Sequence, residues 1–152
     1  MPADSAQPLR RGLFWLAGAS LLGIAAELAM SRHWSQPSQG IAWLALAGLA
    51  VAIVLGSRSA SPRSTRTARL VCWLVLAAAI FGIWEHVYSN FDAAPLDQRY
   101  ADAWDSLNPM TQWWLAATKG VGPSPPLAPA ALAYASIIVL LVTTGPPRHQ
   151  NP

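Results

Sequence analysis

Four long apolar runs decide what this chain can fold into. They cover residues 12–30, 41–56, 70–87 and 127–144. A helix needs about 17–25 mainly apolar residues to cross a hydrocarbon core about 30 Å thick. Backbone in that core must satisfy its own hydrogen bonds, so runs this long and this apolar read as helices. Composition agrees: of 152 residues, 53% are hydrophobic and only 11% charged, against about 25% charged in an ordinary soluble domain. The expected fold is all-α, an integral membrane four-helix bundle forming one domain over 1–152. A structured outer loop at 88–126 is expected to carry a short interfacial helix.

Two features of the first and third runs bear on this reading. Arg10 and Arg11 precede the first run as in a cleaved signal, but the run outlasts a 7–15-residue signal core and contains Glu27, so a retained span is expected. Cys72 is the single cysteine, so it forms no internal disulfide and reads as a small core hydrophobe inside the third span.

Basic residues sort the ends of the spans. Arg10, Arg11, Arg58, Arg63, Arg66, Arg69 and Arg148 fall on one side, and Arg32, Arg99 and Lys119 on the other, beside Asp92, Asp97, Asp102 and Asp105. The positive-inside rule then places both termini and the loop between the second and third spans in the cytoplasm. Residues 56–66 read as a flexible basic loop that attracts anionic lipid, at about 1 kcal/mol per basic residue near the surface. The lipid bilayer is the expected partner, other membrane-protein subunits are a further one, and nucleic acid is not.

The outer loop has its own start signals. Asp97 is placed to cap a helix from Gln98, and Asn108-Pro109 is a stronger start, with Asn at the N-cap and Pro at the first helical position. The following segment sets Met110, Trp113, Trp114 and Ala117 on one side, as in a helix lying flat at headgroup level over the bundle. Residues 120–126, rich in Gly and Pro, form a stiff return to the fourth span.

Two glutamates inside the spans are the most unusual residues. Glu27 stands fifteen residues past Gly12, and Glu85 fifteen past Leu70. At 1.5 Å per residue both lie roughly 22 Å along their helices. Ionisable groups at such depth cost roughly 3 kcal/mol near the bilayer centre and face a bundle interior or a polar cavity. His33 and His86 follow them. Ser20, Gly23, Glu27, Ser31 and Trp34 make one helical stripe, and Ala78, Gly82, Glu85 and Tyr88 another. The two stripes are expected to face each other.

Several chemistries fit these residues. In the structural one each carboxylate pairs with a Trp N–H, a Ser or an arginine such as Arg32 or Arg99. A divalent metal on Glu27, His33, Glu85 and His86 is a second, since bundle metal sites use such ligands. The Glu-x-x-His spacing of those sites is absent, however. Glu27 and His33 share a face only if the helix ends near Ser31, and Glu85 and His86 are about 100° apart. A third is a proton-handling or small-ligand pocket on Glu27, His33, Trp34, Glu85, His86 and Tyr88. Haem held by His33 and His86 is a fourth. No nucleophile–base pair, phosphate loop or Cys-x-x-Cys is visible, so no catalytic residue is assigned.

Residues 27–34 (ELAMSRHW), 84–90 (WEHVYSN), 95–100 (PLDQRY) and 122–129 (GPSPPLAP) together resemble segments of small, uncharacterised bacterial four-span membrane proteins. That resemblance implies a four-span fold in a bacterial inner membrane and carries no activity. The expected function is a non-enzymatic accessory or assembly component of a membrane complex. The alternative is a metal- or small-ligand-binding, or proton-handling, membrane protein using the outer-face Glu/His cluster.

Overall fold

The computed structural model describes residues 3–58 and 61–144. Arg148 and the other residues beyond Thr144 lie outside the described residues, as do two positions of the basic loop, 59 and 60. The helices are α1 (Ala3–Met30), α2 (Gly40–Arg58), α3 (Pro62–Ala93), α4 (Pro109–Ala117) and α5 (Leu127–Thr144). Short 3₁₀ turns occur at Pro37–Gln39, Ala94–Leu96 and Trp104–Ser106, and there is no strand among the described residues. Four helices, α1, α2, α3 and α5, are long and apolar enough to cross a membrane. The all-α, four-span expectation therefore stands.

The last span, α5, is the centre of the bundle. It packs against α3, α1 and α2, while α1 and α3 make no extensive contact with each other. Small residues permit this: Ala128, Ala135 and Ser136 of α5 are buried, together with Leu132, Val139 and Thr143. The buried hydroxyls of Ser136 and Thr143 donate to the carbonyls of Leu132 and Val139, each at 2.8 Å, so neither is left unsatisfied in an apolar interior. At Gly56 of α2, an added Cβ would meet Phe14 and Thr143 at 3.1 Å, which fixes how closely three helices approach. The outward faces carry exposed Leu22, Leu44, Val51, Leu74, Ile80 and Leu141. Apolar exteriors over whole helices suit lipid rather than water.

One end of the bundle is tied by arginine. Arg10 donates to the Gly56 carbonyl at 3.0 Å, and Arg69 donates to the Thr143 carbonyl. Guanidinium groups thus satisfy the terminal carbonyls of α2 and α5, where the helix dipole favours positive charge. Trp15 and Trp73 are exposed about one turn further along, the level at which indole rings settle in a bilayer interface.

Several boundaries differ from expectation. The basic loop is mostly helix: α2 runs through Arg58, and α3 starts at Pro62, with Ser61 extended before it. Proline at the first helical position lets the chain re-enter a helix at once. At its other end α3 continues past the apolar run to Ala93, 32 residues in all, so Tyr88 belongs to a helix and the outer loop begins later. No helix starts at Gln98. Instead Asp97 accepts hydrogen bonds from the Arg99 backbone N–H and guanidinium, and the chain turns through 97–103. The Asn108 cap is present, its side chain accepting from the Met110 N–H at 2.8 Å.

The outer loop folds onto the projecting end of α3 with a core of its own. Ala94, Trp104, Ala116 and Val121 are buried there, against Phe91, Leu107 and Leu115. Trp113 stacks on Phe91, ring centroids 4.4 Å apart, and on Trp84 at 5.5 Å. So α4 stands beside α3 instead of lying over the bundle. Gly122 adopts φ +77°, and a Cβ there would sit 2.5 Å from Asn90. Only glycine fits that turn.

Candidate ligand-binding cavity

The end of α1 is what brings His33 to the site. After Met30 the His33 N–H bonds to the Leu28 carbonyl at 2.9 Å and the Arg32 N–H to that of Ala29 at 3.1 Å. With Arg32 at φ +51°, this is a Schellman turn. The chain leaves the helix axis there, which removes the six-residue phase conflict between Glu27 and His33. Trp43 of α2 then fixes the turn, its indole N–H donating to the His33 carbonyl at 2.7 Å.

His86 comes to the same place from α3. The two imidazoles lie with ring centroids 6.3 Å apart and planes inclined by 27°. Desolvation holds the His33 pKa below its ordinary value, and the neighbouring His86 lowers it further. The His86 Nδ1 is buried and has no hydrogen-bond partner. An orphaned buried polar atom of this kind costs about 1–3 kcal/mol.

Beside the imidazoles is a cavity of about 370 Å³ between α1, α2, α3 and α5. Glu27, His33, Glu85 and His86 all line it. The depth match read from the sequence has a structural basis. Phe14, Gly56 and Thr143 meet at one level, and Gly82 meets Pro129 at another. Counting 1.5 Å per residue from Phe14 puts Glu27 about 20 Å along, near the Gly82–Pro129 level. The deep wall is apolar, from Ile24, Leu28, Ala45, Ala79 and Leu132. Gln36, Ser38 and Gln39 contribute from the α1–α2 connection, and Pro123, Ser124 and Pro125 from the return to α5. The Gln39 side chain stiffens its own turn by accepting from the Ser35 and Gln36 N–H groups at 2.7 and 3.1 Å.

Other parts of the expected site are not assembled. Trp34 is exposed and packs near Trp43, centroids 6.3 Å apart. Tyr88 is exposed and stacks near Trp84. Neither lines the cavity. The two stripes do not pack directly on each other: Gly82 packs on Pro129 of α5, and a Cβ added at Gly23 would meet nothing within 4 Å, while Glu27 and Ser31 of one stripe and Ala78, Gly82 and Glu85 of the other line the cavity between them. Arg99 pairs with Asp97 at 2.7 Å and also donates to the Gly120 carbonyl, so it does not neutralise a cavity glutamate. Among the described residues no three His, Cys, Asp or Glu side chains converge as a metal centre, so the four-ligand arrangement is not preformed. A volume near 370 Å³ holds about a dozen non-hydrogen atoms at ~30 Å³ each, far fewer than a haem. No residue of α4 lines the cavity, so α4 is not its cover.

Gln36, Gln39 and the Pro123–Pro125 strap, which line the cavity, and Trp43, which fixes the turn at His33, were not anticipated. Only the strap carried a signal, its density of proline. No protein-family model, curated protein or solved structure matches the chain.

Proposed function

We propose that this membrane protein binds a small amphiphilic cation, such as an amine bearing a short apolar tail, in the cavity at its loop-bearing end. The observation that carries this reading is the cavity's charge. Two carboxylates, Glu27 and Glu85, line it with no Lys or Arg among the lining residues, and neither is ion-paired among the described residues. Carboxylates in a partly apolar cleft favour a cationic occupant. The apolar deep wall suits an alkyl group, and a volume of a few hundred Å³ is typical of small-ligand sites. These features favour binding over a purely structural accessory role.

Octylamine is a suitable probe, with octanoate as its charge-reversed control, on protein in phosphatidylcholine nanodiscs. Octylamine should raise the melting temperature and octanoate should not. A ligand at 100 times its Kd stabilises by about 2.7 kcal/mol. In the Glu27→Gln, Glu85→Gln double variant the octylamine shift should vanish while the unliganded protein melts no lower. Equal shifts from both amphiphiles, or an undiminished shift in the variant, would overturn the reading.

The same proposal sets the orientation. The arginines of α2 and α3 gather at the end opposite the cavity, supporting cytoplasmic termini in a bacterial inner membrane and a cavity open to the outer leaflet. Reporter fusions at Ser61 should read cytoplasmic and at Ala101 external, and the reverse pattern would sink this orientation.

A further inference from the structure

The cavity has two kinds of wall, and they differ in what could move aside. Toward water it is bounded by tied backbone. The α1–α2 turn is held by the Trp43–His33 hydrogen bond and by Gln39. The Pro123–Pro125 strap is held by Asn90, which bonds to Ser124. Toward the bilayer the boundary is made of side chains. Ile41 of α2 and Phe81 of α3 both line the cavity and are 40% and 45% exposed.

The register of the two helices places these residues together. An added Cβ at Gly48 would touch Val75 and Val71, so antiparallel α2 and α3 close tightly at that level. Seven residues back along α2 is Ile41, and the same distance along α3 leads to the turn around Phe81. Between Gly48 and Ile41 the facing positions that line the cavity are small: Ala42 and Ala45 on α2, Ala78 and Gly82 on α3. The seam therefore widens from a sealed middle to an apolar mouth at the level of Glu85.

We infer that the ligand reaches this site sideways from the bilayer, between Ile41 and Phe81, and that it is a membrane-partitioned, long-chain amphiphile with a cationic head. This rests on the amine-binding reading above and adds the source of the ligand and the place of its tail. The head sits among Glu27, Glu85, His33 and His86. A cavity with room for about a dozen non-hydrogen atoms cannot contain a long acyl or alkyl tail. The remainder of the tail leaves between Ile41 and Phe81 and lies in lipid, where it loses no hydrophobic stabilisation. An amine of the same head but with no tail binds weakly, because the apolar wall then stays unfilled.

The test uses a hexadecylamine carrying a photoactivatable diazirine near the middle of its tail, with protein in phosphatidylcholine nanodiscs. Mapped crosslinks should concentrate in the peptides around Ile41 and Phe81, and excess octylamine should suppress them. In a Cys72→Ala, Ile41→Cys, Phe81→Cys protein, a short reducible bis-thiol linker should close the mouth. Tail labelling at this seam should then fall at least tenfold and return on reduction. Ile41→Trp, a change at a lipid-facing position, should lower labelling without any linker. If octylamine binds the wild type but hexadecylamine labelling is unaffected by either closure, the lateral route is wrong and the site stands. If octylamine does not bind the wild type, the site reading fails and this inference falls with it.

Discussion

Asn90 grips the backbone of Ser124 on both sides of its Cα, through two successive peptide units. Its Oδ1 accepts from the Ser124 N–H at 2.8 Å, and its Nδ2 donates to the Ser124 carbonyl at 2.8 Å. The same Nδ2 donates to the Ala116 carbonyl at 3.1 Å. One fully buried side chain thus joins the end of α3, the end of α4 and the strap that bounds the cavity.

Asn90→Leu should detach the strap. The replacement strands the Ser124 N–H and two carbonyls, and each unsatisfied buried group costs about 1–3 kcal/mol. A loss of about 3 kcal/mol is expected. Gly122→Ala should act in the same direction, because its Cβ would overlap Asn90 and its φ is positive. Limited proteolysis between 97 and 126 should speed up in both variants while the spans stay folded. Unchanged cleavage would show that the strap is held by something else.

Arg32 sits at φ +51° in the turn that delivers His33. A non-glycine residue there is strained by roughly 1 kcal/mol. Arg32→Gly should therefore stabilise by about 0.5–1 kcal/mol and leave octylamine binding intact. Arg32→Ala, which keeps the strain, should bring no gain. Melting curves of the two variants in the same nanodiscs separate the effects, and a destabilised glycine variant would mean that the arginine side chain itself holds the turn.

Trp113→Ala should loosen α4 without opening the cavity. The indole is stacked on Phe91 and Trp84 and remains 36% exposed, so about 2 kcal/mol of local stability is at stake. Maleimide labelling of His86→Cys in a Cys72→Ala background should not rise. It should rise with Asn90→Leu, which frees the strap. The opposite pattern would restore α4 as the cover.

What could be read from the sequence divides along physical lines. The four spans were legible because lipid demands long apolar runs, and the α4 start because Asn108-Pro109 is a local signal. Helix ends were not. The apolar run stops at Val87, yet α3 continues through Ser89, Asn90 and Asp92, since backbone bonding continues where hydrocarbon no longer selects composition. Glu27 and Glu85 stood out because charge inside a span is costly, and His33 and His86 because each follows one of them. Trp34 and Tyr88 were drawn in by extending helical stripes on the assumption that α1 and α3 touch. No pattern in a single sequence shows that α5 occupies the centre. Asn90 was invisible for a similar reason: a lone polar residue has no periodicity, and its role exists only once Ala116 and Ser124 are beside it.

The last prediction concerns pH. Burial and His86 together hold the His33 pKa below its ordinary value, so His33 is neutral at pH 7. His86 of α3 is beside it, and Glu85 of α3 and Glu27 of α1 line the same cavity. Gln36, Ser38 and Gln39 of the connecting turn and Ser124 of the strap are uncharged. With the folded pKa lowered, the unfolded protein binds more protons between that value and about 6.5. The stabilising contribution of neutral His33 is therefore present above pH 6.5 and is lost as pH falls below it. Acidification should lower the melting temperature over this window. It should also weaken octylamine binding, since an imidazolium would repel the amine beside the same carboxylates. In His33→Gln the part of both slopes due to His33 should disappear. An NMR titration should place the His33 midpoint below 6.5. A midpoint above it would show that Glu27 and Glu85, and not desolvation, govern this imidazole, and affinity for the amine would then have to be explained without a neutral His33.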